Sequence, residues 1–319
     1  MRSRKNLRRR GAKVMTLLGV VSISIAGCSQ PGDDTFAADQ GGEPVVSEAP
    51  APELPGGGRE IFPANRLVGY SGIKGDTNED LGRLTGDLDK RCRQIKKLGE
   101  DYAGGRKVLP IFEMITVVVQ ASPGVDGSYV FPRPKSEVRE YLEAARRCGA
   151  LLLLNIQPGR SEFIPEMKRY ENLLKEPDVG VALDPEWAMD PGEVPGQDLG
   201  RSDGPELNDA AEYLSKIVAQ NNLPEKVMVF HQFNLAAVEK VNKITAHEGV
   251  AIVRSIDGLG GPRIKREEYD LLATDLPPFI HPGFKLFYKE DVLPPWGSRL
   301  MTPKEVMKLK PTPEYILYE

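Results

Sequence analysis

From residue 59 onward, short apolar runs alternate with longer stretches in which apolar positions recur at the helical period. Eight runs have the length and the aliphatic and aromatic content of buried strands, at 67–70, 108–115, 150–156, 179–183, 227–230, 250–256, 284–288 and 315–318. Helical patterns lie between them at 80–98, 135–148, 164–175, 205–221, 235–247, 265–273 and 303–309. Strands that are apolar on both faces and separated by helices predict a parallel sheet with crossover helices. The predicted fold class is α/β, a (β/α)8 TIM-like barrel over residues 59–319, about the usual length for that architecture. The rival, a doubly wound open sheet, would carry a glycine-rich phosphate turn after its first strand. The sequence Tyr70-Ser71-Gly72-Ile73-Lys74-Gly75 lacks that spacing.

The first 27 residues have a different character. Seven basic residues, Arg2 to Lys13, precede an apolar run over 14–26 that is too short to span a bilayer and fits the core of a signal peptide. Ile25-Ala26-Gly27-Cys28 follows directly and resembles the bacterial lipobox. That resemblance implies cleavage before Cys28, lipidation of its thiol with palmitate-type chains, and a lipoprotein held at the extracytoplasmic face of the cell membrane. Residues 28–58 are rich in Pro, Gly, Ala, Ser and acid, the composition of a flexible linker with a reach of about 30 Å.

Charge changes the picture once the signal is set aside. The whole chain is −4, with 42 basic and 46 acidic residues, and losing seven basic residues leaves 35, for a net −11. An acidic surface disfavours nucleic acid, whose phosphates are bound chiefly by Lys and Arg, so no nucleic acid partner is expected.

In a barrel the carboxyl ends of the strands and the loops after them form the open mouth. The polar residues near those ends are Tyr70, Glu113, Asn155, Gln157, Asp184, Glu186, Trp187, His231, Gln232, Arg254, Asp257, Tyr288 and Tyr318. Convergent polar groups of this kind predict a wet or ligand-filled cleft. Asp184 and Glu186 are separated by one residue, and strand geometry would place them on one side, about 7 Å apart. The better shielded of the two, Glu186 beside Trp187, is expected to hold a proton as a general acid, with Asp184 as the ionised partner. Trp296, after the seventh strand, is a candidate cleft wall, and residues 190–205 are long enough for a lid. The bland alternative is internal pairing, with Glu113 and Asp257 on Arg254 and with Gln232 and Asn155 on each other. His231 has no second histidine at metal spacing, so neither a metal nor a cofactor is expected.

At Asp184-Pro185-Glu186 the chain resembles barrel glycosidases of families 18 and 25, which carry Asp-x-Glu at the end of the fourth strand. The resemblance implies a glycoside hydrolase-like protein acting on polysaccharide or cell-wall glycan. Glu186 and Asp184 would be catalytic, and Tyr70, Glu113, Asn155, Gln157, Trp187, His231, Gln232, Asp257, Tyr288 and Trp296 would contact substrate. A non-catalytic carbohydrate-binding lipoprotein is the alternative. Cys92 and Cys148 remain; on neighbouring helices they either close a disulfide or stay as two buried thiols.

Overall fold

The computed structural model describes residues 50–75 and 80–319. The predicted signal, Cys28 and the predicted linker as far as residue 49 lie outside the described residues. Eight strands form the wall of a closed parallel barrel: β1 (Asn65–Ile73), β2 (Lys107–Val119), β3 (Leu151–Ile156), β4 (Val179–Leu183), β5 (Lys226–Gln232), β6 (Val250–Ile256), β7 (Ile280–Leu286) and β8 (Tyr315–Tyr318). Each pairs in parallel with its sequence neighbours, and β1 pairs with both β2 and β8, which closes the ring.

The helices are α1 (Leu88–Glu100), α2 (Lys135–Cys148), α3 (Phe163–Arg169), α4 (Glu171–Leu174), α5 (Gly204–Gln220), α6 (Pro262–Ala273) and α7 (Pro303–Val306). Helix α1 starts eight residues later than the periodicity predicts, because Asp87 accepts a hydrogen bond from Lys90 N and caps it there. Ahead of it, residues 81–82 pair antiparallel with the end of β1. The predicted helix at 235–247 does not form. Asn234 instead accepts from the amides of Ala236 and Ala237, Lys240 adopts a left-handed backbone conformation (φ 52°), and only a short strand and a 3-10 turn follow. The predicted seventh strand is shifted: it runs from Ile280 to Leu286 and leaves Tyr288 beyond its end.

Period-two alternation divides the wall into two cores. One set of residues, including Leu67, Ile111, Leu153, Ala182, Val229, Val253 and Leu317, fills the barrel interior; the alternate set, including Val68, Phe112, Leu154, Phe230 and Ile316, packs against the helices. Packing inside is tight enough that a Cβ on Gly69 would lie 2.2 Å from the Ile111 carbonyl oxygen. Leu54, Ile61 and Phe62 join the interior core and seal its amino-terminal end, so the last residues of the predicted linker, from about Leu54, pack with the barrel. Arg59 fastens this plug by donating to the carbonyls of Asn222 and Leu223. Cys92 on α1 and Cys148 on α2 form a disulfide with their Cα atoms 5.7 Å apart. No helix among the described residues is long and apolar enough to cross a membrane.

Candidate active site at the barrel mouth

Following the interior rows upward explains why the site is polar. Leu109 and Ile111 on β2 are succeeded by Glu113, Leu151 and Leu153 on β3 by Asn155, and Ala182 on β4 by Asp184. On the far side Val227 and Val229 lead to His231, Ala251 and Val253 to Ser255 and Asp257, and Tyr315 and Leu317 to Glu319. Lys285 holds the same level on β7 and Ser71 on β1. The top layer of the barrel is therefore built from charged and hydroxyl-bearing side chains lying on an apolar floor.

His231 is the centre of this layer. Its Nδ1 lies 2.6 Å from Asp257 Oδ2, and its Nε2 lies 3.2 Å from Glu113 Oε1 and 3.8 Å from Asp184 Oδ1. Asn155 Nδ2 donates to both Glu113 Oε1 and Asp184 Oδ1 at 3.1 Å, bridging β2 and β4. Tyr315 donates its hydroxyl to Glu113 Oε2, and Ser255 donates to Asp257 Oδ1 at 2.6 Å. Lys285 Nζ sits 3.6 Å from Asp257 Oδ2 and 2.8 Å from Glu319 Oε2.

The charges follow from these contacts. Burial disfavours an imidazolium at His231, but Asp257, Glu113 and Asp184 outweigh it and hold its pKa well above the usual histidine value. Burial likewise opposes ionisation of Glu113 and Asp257, and His231 with Lys285 more than offsets it, leaving both below the ordinary carboxylate range. For Asp184 burial prevails over the same two cations, raising it to about 6. Glu186 goes further: burial and the neighbouring carboxylates of Asp184 and Asp257 push it well above the carboxylate range. Of the two, Glu186 therefore holds its proton to higher pH, and Asp184 ionises first.

Strand geometry is not what brings this pair together. β4 ends at Leu183, and Pro185–Trp187 form a 3-10 turn, so the two-residue repeat stops before Glu186. The turn is what sets the Glu186 carboxyl among the charges of the layer.

Four buried polar atoms of this region have no hydrogen-bond partner: Ser71 Oγ, Asn155 Oδ1, Glu186 Oε2 and His231 Nε2, the last close to Glu113 but without hydrogen-bond alignment. Among the described residues only Arg83 Nε shares that condition. Orphaned buried polar atoms are costly, and their gathering at one end of a barrel marks a place prepared for a polar ligand.

The remaining predicted site residues are distributed differently. Tyr70, Tyr318 and Tyr288 form an aromatic cluster on the outer face of the wall, with Tyr288 and Tyr318 ring centres 5.4 Å apart and the Arg83 guanidinium 4.9 Å above Tyr288. Gln232 and Arg254 also face outward: Arg254 donates to Gln232 Oε1 at 2.9 Å and to the Leu272 carbonyl, so it is not the partner of Glu113 or Asp257. Gln157 accepts from Val119 N and ties off the end of β2. Trp187 is half-buried beside Glu186, and Trp296 is 67% exposed on the loop after β7. Residues 190–205 are pinned by Arg201 to Asp190 at 2.7 Å and by pairing of Ser202 and Asp203 with Val238 and Glu239. Ser71, Ser255, Lys285, Tyr315 and Glu319 join the layer in addition to the residues predicted from the strand ends. A lysine between Phe284 and Leu286 in an apolar strand was the available signal for Lys285.

No protein-family model and no curated protein matches the chain. Among solved structures, a chain described as "Glycoside hydrolase-like protein" superposes with a TM-score of 0.37 at 10% identity, covering 85% of this chain and 86% of that one.

Proposed function

We propose that the protein is a glycoside hydrolase-like enzyme acting on polysaccharide at the barrel mouth, tethered by a lipidated Cys28 to the extracytoplasmic face of the cell membrane. The observation that carries this reading is the pair of unlike carboxyls. Glu186 has a buried, unpartnered Oε2 and retains its proton, and Asp184 is ionised at neutral pH. Glu186 donates that proton to the glycosidic oxygen as the bond breaks, and Asp184 stabilises the positive charge that develops at the sugar carbon; water then adds to that carbon and its proton returns to the Glu186 carboxylate. His231 Nε2–H, Ser71 Oγ and Asn155 Oδ1 supply a donor, a hydroxyl and an acceptor for sugar hydroxyls, and Trp187 offers a ring for stacking.

A second reading, carbohydrate binding without cleavage, is favoured by the pairing of Glu113 and Asp257. Both of their carboxylates are engaged inside the protein, Glu113 by Asn155 and Tyr315 and Asp257 by Ser255 and His231, so neither is free to activate a water. Reducing-end release from a panel of neutral, acidic and amino-sugar polysaccharides, run beside co-sedimentation with insoluble glycans, separates the two. Cleavage of one panel member supports the enzyme; retention on a glycan with no new reducing ends supports the binding protein; neither result on any glycan removes both.

A further inference from the structure

The top layer contains a feature that glycan cleavage by Asp184 and Glu186 does not itself require. Glu113, His231, Asp257, Lys285 and Glu319 form a row of alternating charge across the barrel, with successive contacts of 3.2, 2.6, 3.6 and 2.8 Å. Every member but Glu319 is buried, and Lys285 belongs to none of the ligand-facing groups described above. An ammonium is costly to place in such a setting, and a neutral residue of similar volume would serve packing alone as well or better.

We propose that Lys285, with Glu319 behind it, is a positioning residue of this site: it closes the row of alternating charges and thereby fixes the charge on Asp184. Asp184 faces the carboxyls of Glu113, Glu186 and Asp257 and the hydroxyl of Tyr315, against two cations, His231 and Lys285. His231 is shared among Glu113, Asp257 and Asp184 itself, so the layer has no spare positive charge without Lys285. Glu319 holds Lys285 from the rim side and sets how much of its charge is felt inside. The directions agree: the ammonium is stabilised by Glu319, Asp257, Asp184 and Glu113 against its burial, and it in turn lowers the proton affinity of Asp184. Lys285 acts through Asp184 and touches no ligand.

The inference takes from the proposed function only that Asp184 is the ligand-facing carboxylate, and its test is independent of cleavage. The experiment follows the side-chain carboxyl carbon of Asp184 by NMR across pH in the ligand-free full chain, with Asp184→Asn assigning the signal. Lys285→Met moves the Asp184 midpoint up by about one pH unit or more, the size expected for loss of a nearby opposite charge, and Lys285→Arg returns it towards the parent value. Glu319→Gln moves it the other way, because the ammonium is then shared with fewer acids. An unchanged midpoint in folded Lys285→Met, or an upward shift in Glu319→Gln, overturns the proposal. Should Lys285→Met fail to fold, the direction in Glu319→Gln decides alone, and no shift there counts against it. A layer that titrates as described but cleaves no glycan would refute the proposed enzyme and leave this inference standing.

Discussion

His231 Nδ1 and Asp257 Oδ2 are 2.6 Å apart inside the barrel, and the other nitrogen of the same ring faces Glu113 and Asp184. One imidazolium therefore neutralises acids from three strands. Replacing it with leucine leaves Glu113 and Asp257 buried with reduced compensation, which costs about 3 to 5 kcal/mol by the usual penalty for breaking a buried pair. Urea unfolding of His231→Leu measures this directly. A loss under about 1 kcal/mol, within the range of an exposed pair, contradicts the central role given to the ring.

The raised proton affinity of Asp184 has a consequence for stability. Its pKa is about 6 in the folded chain against 3.8 for the free group, so the folded state binds the proton more tightly. Protonated below pH 4, the group costs nothing; as pH rises towards 6 and above, the folded state must carry a desolvated charge and its stability falls. Asp184→Asn removes that cost and is neutral throughout. Relative to the parent, the variant gains stability between about pH 4 and 6.5, by ~3 kcal/mol at most. The comparison requires unfolding curves for both proteins at several pH values. A flat difference would mean that Asp184 titrates normally.

The disulfide joins two helices 56 residues apart in sequence. In the chain-entropy account, closing a loop of that length stabilises the fold by about 4 kcal/mol. Cys92→Ala/Cys148→Ala is expected to lose that much, seen as a lower urea midpoint, with a somewhat steeper slope because the unlinked denatured chain is less compact. Peptide mapping of the unreduced protein should show Cys92 linked to Cys148; two free, alkylatable thiols in the native protein would rule the bond out.

Cys28 is the anchor in the proposed function, and its thiol is the lipid acceptor that the resemblance of residues 25–28 to a lipobox implies. Cys28→Ala is expected to leave an unlipidated protein that partitions into the aqueous phase of a detergent extraction. Continued recovery in the detergent phase, with the signal removed, would place the anchor elsewhere.

The barrel was legible because its strands are buried on both faces, which leaves uninterrupted runs such as Leu151-Leu152-Leu153-Leu154. The face each end residue presents was much harder to read. His231 and Gln232 are adjacent, so only one of them can point inward, and the choice is fixed by Val227 and Val229 filling the interior below. The same parity sends Tyr70 and Arg254 to the helix side while Ser71 and Ser255 face the layer. The segment 235–247 misled for a different reason: Ala237, Val238, Val241 and Ile244 repeat at helical spacing, but an Asn234 turn and the left-handed Lys240 win locally. Lys285 was hidden by its strand, since a charge among aromatic and aliphatic neighbours reads as an exception until its partners, distant in sequence, are seen around it.

The decisive prediction concerns Glu186, whose buried and unpartnered oxygen is the one group of the layer suited to give up a proton at neutral pH. Glu186→Gln preserves shape and removes the transferable proton, so cleavage should fall by about 10² or more, the usual contribution of a general acid, while binding persists. It also removes a carboxyl that is costly to ionise where it lies, so the variant should be no less stable than the parent and more so at alkaline pH. Asp184→Asn should likewise slow turnover, through loss of the negative charge that faces the developing cation. Trp187→Ala should instead act mainly on KM by removing a stacking surface next to the acid. Steady-state kinetics on any substrate the parent cleaves, measured across pH, tests the ordering. Activity should rise through about pH 6 as Asp184 ionises and fall at higher pH as Glu186 loses its proton, and the alkaline fall should be absent from what little activity Glu186→Gln retains. Full activity in Glu186→Gln, or an alkaline limb that survives in it, would assign the acid to another residue.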